Sequence, residues 1–230
     1  MNRNYFQQSR TLLYSYLISL PLLILYEILI QVSQPNAEYI VRISVDAWFK
    51  QMFATFGLNA LNVTFYIAAI AGLWILWRDR KKLRAIRLST FLFMLIEALL
   101  YAIGLALVIS LVLESLLMQV GQTKLQLLAL SLGAGLYEEL FFRVILVSLF
   151  VWAFSKIISR RWIASWTAVL VAAACFSLAH YLGAYGDPFT LNSFLFRFLF
   201  GLALNFIYLY RGFGMAAWTH AIYDLLVVLF

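Results

Sequence analysis

The sequence predicts an all-α, polytopic transmembrane helical bundle. Of its 230 residues, 65% are hydrophobic and only 12% are charged, and the mean hydropathy is +0.92. A soluble domain is about 45–50% apolar and about 25% charged, so this composition indicates an integral membrane protein. The apolar runs are long and continuous, where a membrane β-barrel would show alternation. No linker or repeat divides the chain, and we expect residues 1–230 to form one membrane domain.

Seven apolar segments are predicted to cross the bilayer as helices. In chain order they cover residues 11–32, 58–77, 88–118, 125–154, 162–181, 191–210 and 215–230. The third exceeds the roughly 20 residues that a span requires, so we expect it to be tilted or broken near Gly104. Residues 38–53 place charges of alternating sign at every fourth position: Glu38, Arg42, Asp46 and Lys50. This pattern predicts an amphipathic helix in the membrane interface with a salt-bridged polar stripe, in addition to the seven or eight helices of the bundle.

Basic residues are distributed unevenly between the two sides of this arrangement. With the amino terminus in the cytoplasm, the cytoplasmic side holds twelve: Arg3, Arg10, Arg78, Arg80, Lys81, Lys82, Arg84, Arg87, Lys156, Arg160, Arg161 and Arg211. The other side holds three: Arg42, Lys50 and Lys124. Because Lys and Arg mark cytoplasmic loops, we expect a multi-pass protein of the bacterial cytoplasmic membrane with its amino terminus inside. Basic residues beside apolar spans favour membrane lipids, and not nucleic acid, as partners.

The fourth apolar segment contains three ionisable residues, Glu138, Glu139 and Arg143. Charge at bilayer depth costs at least a few kcal/mol per group, which makes such residues candidates for a functional site. On an α-helix Glu139 and Arg143 lie about 40° apart, in ion-pair register, whereas Glu138 lies about 140° from Arg143. We therefore expect Glu139 and Arg143 to brace the helix and Glu138 to carry chemistry. Gly133 and Gly135 favour the close approach of another helix.

The two histidines of the chain, His180 and His220, both fall inside apolar segments. His220 and Asp224 are four residues apart and share a helix face, as do Phe176 and His180. Neighbouring spans can bring these groups to Glu138. A carboxylate beside a histidine in a partly dry cavity can remove a proton from water. Alternatively, Glu138, His180 and His220 could hold a zinc ion with an open water position, and both mechanisms are hydrolytic.

Helix lengths make the convergence of these residues conditional. At about 1.5 Å per residue, His180 lies about 28 Å along its helix from Arg161, whereas His220 lies only about 14 Å from Arg211. The two histidines meet only if the last helix begins deep in the bundle or tilts, or if the basic loops are partly helical.

Nucleophilic alternatives are weak. Ser177, three residues before His180, is more typical of a serine bonded to the backbone of a membrane helix than of a nucleophile. The single cysteine, Cys175, excludes an internal disulfide and a cysteine-based metal cluster.

The three polar elements occur in a fixed order on separate spans. They are Glu138-Glu139-x-x-x-Arg143, Phe176-x-x-x-His180 and His220-x-x-x-Asp224. This set resembles the motifs of the CPBP intramembrane proteases, the Abi family that includes the CAAX prenyl endopeptidases. The likeness covers about residues 131–226, and we expect the motif-bearing core at about 125–230.

The resemblance implies a helical bundle whose site lies in a cavity that opens to one side of the bilayer. It implies that Glu138 activates water with His180 as its partner. His220 and the residue four later would stabilise the oxyanion or hold the water, with Glu139, Arg143 and Phe176 in support. Asp224 departs from the family, which typically carries Asn there. Because an ionised aspartate cannot donate to an oxyanion, Asp224 is either protonated or orients His220.

The sequence therefore predicts an intramembrane endopeptidase that hydrolyses a peptide bond near the membrane surface. The expected substrate is a peptide or a membrane-associated protein, and no cofactor is expected, with zinc as the alternative. Two other functions remain open. One is a non-catalytic bacteriocin-immunity or binding factor. The other is a small proton-coupled transporter that uses the intramembrane acids and Arg197 as a relay.

Overall fold

The computed structural model describes residues 4–35, 40–58, 60–112, 123–183 and 186–229, and every regular element in them is helical. The helices are α1 (Tyr5–Ser9), α2 (Leu12–Val32), α3 (Ser44–Thr55), α4 (Ala60–Arg78), α5 (Leu88–Val112), α6 (Lys124–Ile157), α7 (Arg161–Ala179), α8 (Leu191–Arg211) and α9 (Phe213–Leu229), with a 3₁₀ turn at Arg80–Ala85. By length and composition, five helices can cross a membrane, namely α2, α5, α6, α7 and α8, while α4 and α9 contain shorter apolar helices. The all-helical, multi-pass class is thus confirmed, and the count of seven spans stays a prediction.

Threonine side chains begin three of the long helices. Thr11, Thr123 and Thr190 precede α2, α6 and α8, and each accepts a hydrogen bond from the N–H three residues later. Such a cap stabilises a helix start by about 1 kcal/mol. At the other end of α8, Gly212 has a φ of 90°, a left-handed conformation that glycine adopts readily. This residue lets the chain turn directly from α8 into α9.

The third apolar segment forms the unbroken helix α5. It continues through Gly104 as far as Val112, so of the two alternatives the break near Gly104 is not found, and the tilt stays a prediction. One glycine costs a helix only about 1 kcal/mol relative to alanine, which is too little to interrupt a long apolar helix. Glu114, which the sequence places in the same span, lies outside the described residues.

The amphipathic segment is shorter than predicted, and its polar stripe turns inward. α3 begins at Ser44, and Glu38 lies outside the described residues. Asp46 is bridged by Arg42 at 3.0 Å and by Lys50 at 2.8 Å, and the same two cations bridge Glu27 of α2 at 3.1 and 2.7 Å. The salt-bridged stripe is therefore buried against α2. The opposite side of α3 leaves Trp48 and Met52 exposed.

α9 is the central helix of the bundle, packing against α2, α5, α6 and α8. Its buried face is made of small residues, including Ala216, Ala217 and Ala221, which allow close helix approach. α9 begins beside the first turn of α2, because a Cβ on Gly214 would lie 2.9 Å from the Cα of Ser15. The rings of His180 and His220 lie 5.0 and 6.1 Å from the ring of Phe176, centroid to centroid, so the two histidines do converge.

Candidate active site

The site is built on α6, which changes its helical pitch where the acidic residues occur. The backbone forms wider π turns over Ala134–Glu138 and Leu140–Val147. A π turn closes at the fifth residue, so the 140° that an α-helix would place between Glu138 and Arg143 does not apply here. Such turns are frequent at functional sites.

Two glycines bring other helices against this part of α6. A Cβ on Gly133 would lie 2.4 Å from the ring of Tyr26, and one on Gly135 would lie 2.5 Å from the carbonyl oxygen of Ala217. The predicted packing role of both glycines is confirmed. Gly135 sets the distance between α6 and α9, and therefore the distance between Glu139 and His220.

Glu139 joins two of the predicted site residues. Its Oε1 lies 2.9 Å from Nη1 of Arg143 and 2.7 Å from Nδ1 of His220. Glu139 and Arg143 are both 0% exposed, so each charge depends on the other for compensation. The predicted ion pair is present. The carboxylate that is hydrogen-bonded to His220 is that of Glu139, and the expectation that Glu138 faces both histidines stays a prediction for His220.

Glu138 faces the other histidine. Its Oε2 lies 4.0 Å from Nε2 of His180, and the two side chains are 11% and 27% exposed. The Nδ1 of His180 is 2.9 Å from the carbonyl oxygen of Phe176. Because a carbonyl only accepts, Nδ1 carries the proton and Nε2 presents its lone pair beside Glu138. A distance of 4.0 Å between two acceptors is one that a single water can bridge.

Asp224 lies on the second nitrogen of His220. Its Oδ2 is 3.5 Å from Nε2, and its side chain is 29% exposed. His220 therefore has a carboxylate on each side of its ring, Glu139 at Nδ1 and Asp224 at Nε2. Of the two roles open to Asp224, this position favours orienting the imidazole.

Phe176 packs between the elements of the site. Its ring lies edge-on to His180, with centroids 5.0 Å apart, and the guanidinium carbon of Arg143 is 4.4 Å from its centroid. Gly201 of α8 makes room for the ring, because a Cβ there would lie 2.8 Å from Phe176 Cδ1. The carbonyl oxygen of Gly201 also accepts a hydrogen bond from Arg143 at 3.4 Å. Phe176 thus links α7, α8 and the ion pair of α6.

The three residues considered for zinc do not form a ligand set in this structure. His220 directs Nδ1 at Glu139 and Nε2 towards Asp224, so each of its nitrogens already faces a carboxylate. In the described part of the chain, no group of three His, Cys, Asp or Glu side chains is arranged to hold a metal ion.

Two polar groups next to the site were not predicted as part of it. Arg197 of α8 pairs with Asp187 and donates to Ser193 at 2.6 Å, and the N–H of Asp187 donates to the carbonyl oxygen of His180 at 2.9 Å. Arg197 is thus engaged in holding the loop that follows His180. The sequence pattern that could have indicated this ion pair is an arginine ten residues after an aspartate, across a turn-rich loop.

The second group lies behind Glu138. The hydroxyl of Tyr137 donates to Glu27 Oε1 at 3.1 Å, and Lys50 lies 5.7 Å from the centre of the Tyr137 ring. The ion-pair cluster of α2 and α3 therefore contacts the residue that precedes Glu138. Because Tyr137 and Glu27 are far apart in the sequence, no spacing of residues within one helix could have predicted this contact.

Ser177 takes no part in the site. Its hydroxyl donates to the carbonyl oxygen of Phe194 at 2.8 Å. The prediction of a backbone-bonded serine is confirmed, and this bond ties α7 to α8.

Comparison with known families adds an independent observation. Residues 120–226 match the family described as type II CAAX prenyl endopeptidase Rce1-like. The resemblance is confirmed over this part of the chain. The match includes Glu138, His180, His220 and Asp224, and it begins after α5. No curated protein and no solved structure shows significant similarity to the chain.

Proposed function

We propose that the protein is an intramembrane endopeptidase in which Glu138 and His180 activate the attacking water. The observation that carries the proposal is the facing pair of acceptors, Glu138 Oε2 and His180 Nε2, 4.0 Å apart and partly exposed. A water between them would donate one hydrogen bond to each acceptor, which directs its lone pairs away from both. The family match supports peptide bond hydrolysis as the reaction.

The proposed reaction has two steps. The water oxygen attacks the carbonyl carbon of the scissile bond, forming a C–O bond while its proton passes to Glu138. The carbonyl oxygen becomes an oxyanion, and the C–N bond then breaks as the same proton passes from Glu138 to the leaving amine. Atoms and charge balance without a further reactant.

His220 is proposed to supply the donor for the oxyanion. With Nδ1–H bonded to Glu139, a proton on Nε2 points towards Asp224 and the open side of the ring. Glu139 and Asp224 would hold the imidazole in this orientation, and Arg143 would hold the Glu139 carboxylate in place through their pair. Removing one such donor typically costs a factor of about 10²–10³ in rate.

The test measures hydrolysis of a library of quenched fluorescent peptides by the purified chain in detergent. Glu138→Gln preserves size and removes the base, so we expect at least a 100-fold loss, in the range of about 10²–10⁴ for general-base catalysis. Asp79→Asn is the matched control, because it removes one carboxylate from the turn after α4, where Asp79 pairs only with Lys82 among the described contacts. This control should keep full activity.

A correctly folded Glu138→Gln variant that retains cleavage would refute the assignment of Glu138. A wild-type chain that cleaves no peptide, yet protects cells from a bacteriocin even with Glu138→Gln, would favour the non-catalytic binding function.

A further inference from the structure

The candidate site lies at one end of the bundle, and the basic loops lie at the other. His180 directly follows the last residue of α7, a helix of 19 residues that begins at Arg161. At about 1.5 Å per residue, His180 is about 28 Å from that basic end. Tyr137, next to Glu138, bonds to Glu27, which is five residues before the end of α2 at Val32.

Contacts between helices confirm which termini share the basic end. The N–H of Arg87, in the most basic segment, donates to Tyr14 near the start of α2 at 2.9 Å. The turn at Gly212 lies against the same part of α2, since a Cβ there would be 3.1 Å from Ser15 Oγ. The start of α2, the start of α5 and the α8–α9 turn are therefore neighbours.

The site end holds few basic residues, and of the described ones Lys124 is exposed at the start of α6 while three others are paired. Arg42 and Lys50 are both in the ion-pair cluster with Glu27, and Arg197 is paired with Asp187. Twelve Lys and Arg belong to the opposite end by sequence. Because Lys and Arg are retained on the cytoplasmic side, this asymmetry sets the orientation of the whole bundle.

We infer that the candidate site opens on the extracytoplasmic side of the membrane. The substrate is then a peptide segment presented at that surface, and translocation across the membrane is the class of process that supplies it. The carboxy terminus of a cytoplasmic prenylated protein could not reach Glu138 and His180 in this orientation. The substrate part of the inference rests on the proposed peptidase function, whereas the orientation does not.

The orientation is tested by cysteine labelling at the two ends of α7. In the full chain carrying Cys175→Ala, which removes the single native cysteine, two variants each add one thiol. Leu182→Cys places it in the exposed loop after His180, and Ser159→Cys places it in the exposed turn before α7. Intact cells are treated with a membrane-impermeant maleimide, and a second sample is permeabilised first.

We expect the Leu182→Cys chain to be labelled in intact cells and the Ser159→Cys chain only after permeabilisation. The reverse pattern, or labelling of both variants in intact cells, overturns the inference. If neither thiol reacts, alkaline phosphatase fused after Phe230 decides the matter, because α9 ends on the same side as the site. An active phosphatase supports the inference, and an inactive one overturns it.

Peptide cleavage provides a separate readout. Sealed right-side-out vesicles should cleave the same impermeant quenched peptides, while inverted vesicles should cleave them only after detergent is added. Cleavage by inverted vesicles alone would overturn the orientation but leave the peptidase function intact. Absence of cleavage in detergent, with the expected labelling pattern, would remove the proposed function and keep the orientation.

Discussion

Replacing Glu139 by glutamine should destabilise the bundle far more than the same change at Glu138. Glu139 and Arg143 are fully buried and 2.9 Å apart, and the substitution leaves the guanidinium charge without its counter-ion. Breaking a buried pair in this way costs about 3–5 kcal/mol. For a chain of this length, about 2–4 °C per kcal/mol corresponds to a fall in Tm of about 6–20 °C. Among the described residues, the shortest ion-pair contact of Glu138 is the one to His180, at 4.0 Å.

The assay is thermal unfolding in detergent, followed by the fluorescence of the seven tryptophans. Glu138→Gln is the control for loss of one carboxylate in the same helix, and we expect its Tm to stay within about 4 °C of wild type, which corresponds to about 1 kcal/mol. The double variant Glu139→Gln/Arg143→Met removes both charges. Because no charge is then left uncompensated, the double variant should be more stable than Glu139→Gln alone.

Two results would refute this reasoning. One is a Glu139→Gln variant as stable as Glu138→Gln, which would show that the pair does not brace the helix. The other is a double variant no more stable than the single one, which would show that the cost does not come from the unpaired arginine.

Three further predictions concern the surroundings of the site. Gly201→Ala should lower both activity and Tm, because the added Cβ would lie 2.8 Å from Phe176. Gly104→Ala is the control, since nothing lies within 4 Å of the added Cβ, and it should raise stability by up to about 1 kcal/mol. Equal effects of the two substitutions would contradict the packing role of Gly201. Tyr137→Phe should lose about 1 kcal/mol, measured as Tm, because it removes the hydrogen bond to Glu27; an unchanged Tm would show that this bond contributes nothing. Incubation with a zinc chelator should leave peptide cleavage unchanged, and a loss restored by added zinc would contradict the metal-free reaction.

The local patterns that the sequence predicted correctly depend on neighbours along the chain. The Glu139–Arg143 pair and the His220–Asp224 pair are four residues apart, and helical geometry alone brings such residues together. Ser177 bonds to backbone, as its place in an apolar helix indicates. The helical, multi-pass class follows from composition, because a bilayer requires backbone groups to be satisfied within each span.

The pairings that the sequence did not predict join distant segments. The carboxylate that holds His220 is Glu139, 81 residues away, and not Glu138. The sequence assumed α-helical pitch, and the π turns of α6 alter the direction of each acidic side chain. The polar stripe of α3 likewise faces inward because Glu27 of α2 supplies its acidic partner.

By itself, the sequence determined that this is a helical membrane protein with two acids, two histidines and an arginine placed at membrane depth. It did so because a charge in an apolar span is costly and therefore conspicuous in the chain. Only the tertiary structure decided which carboxylate meets which histidine, and at which end of the bundle Glu138 and His180 lie. Those choices depend on helix pitch and on close contacts at Gly135 and Gly214. None of these is set by the spacing of residues within one helix.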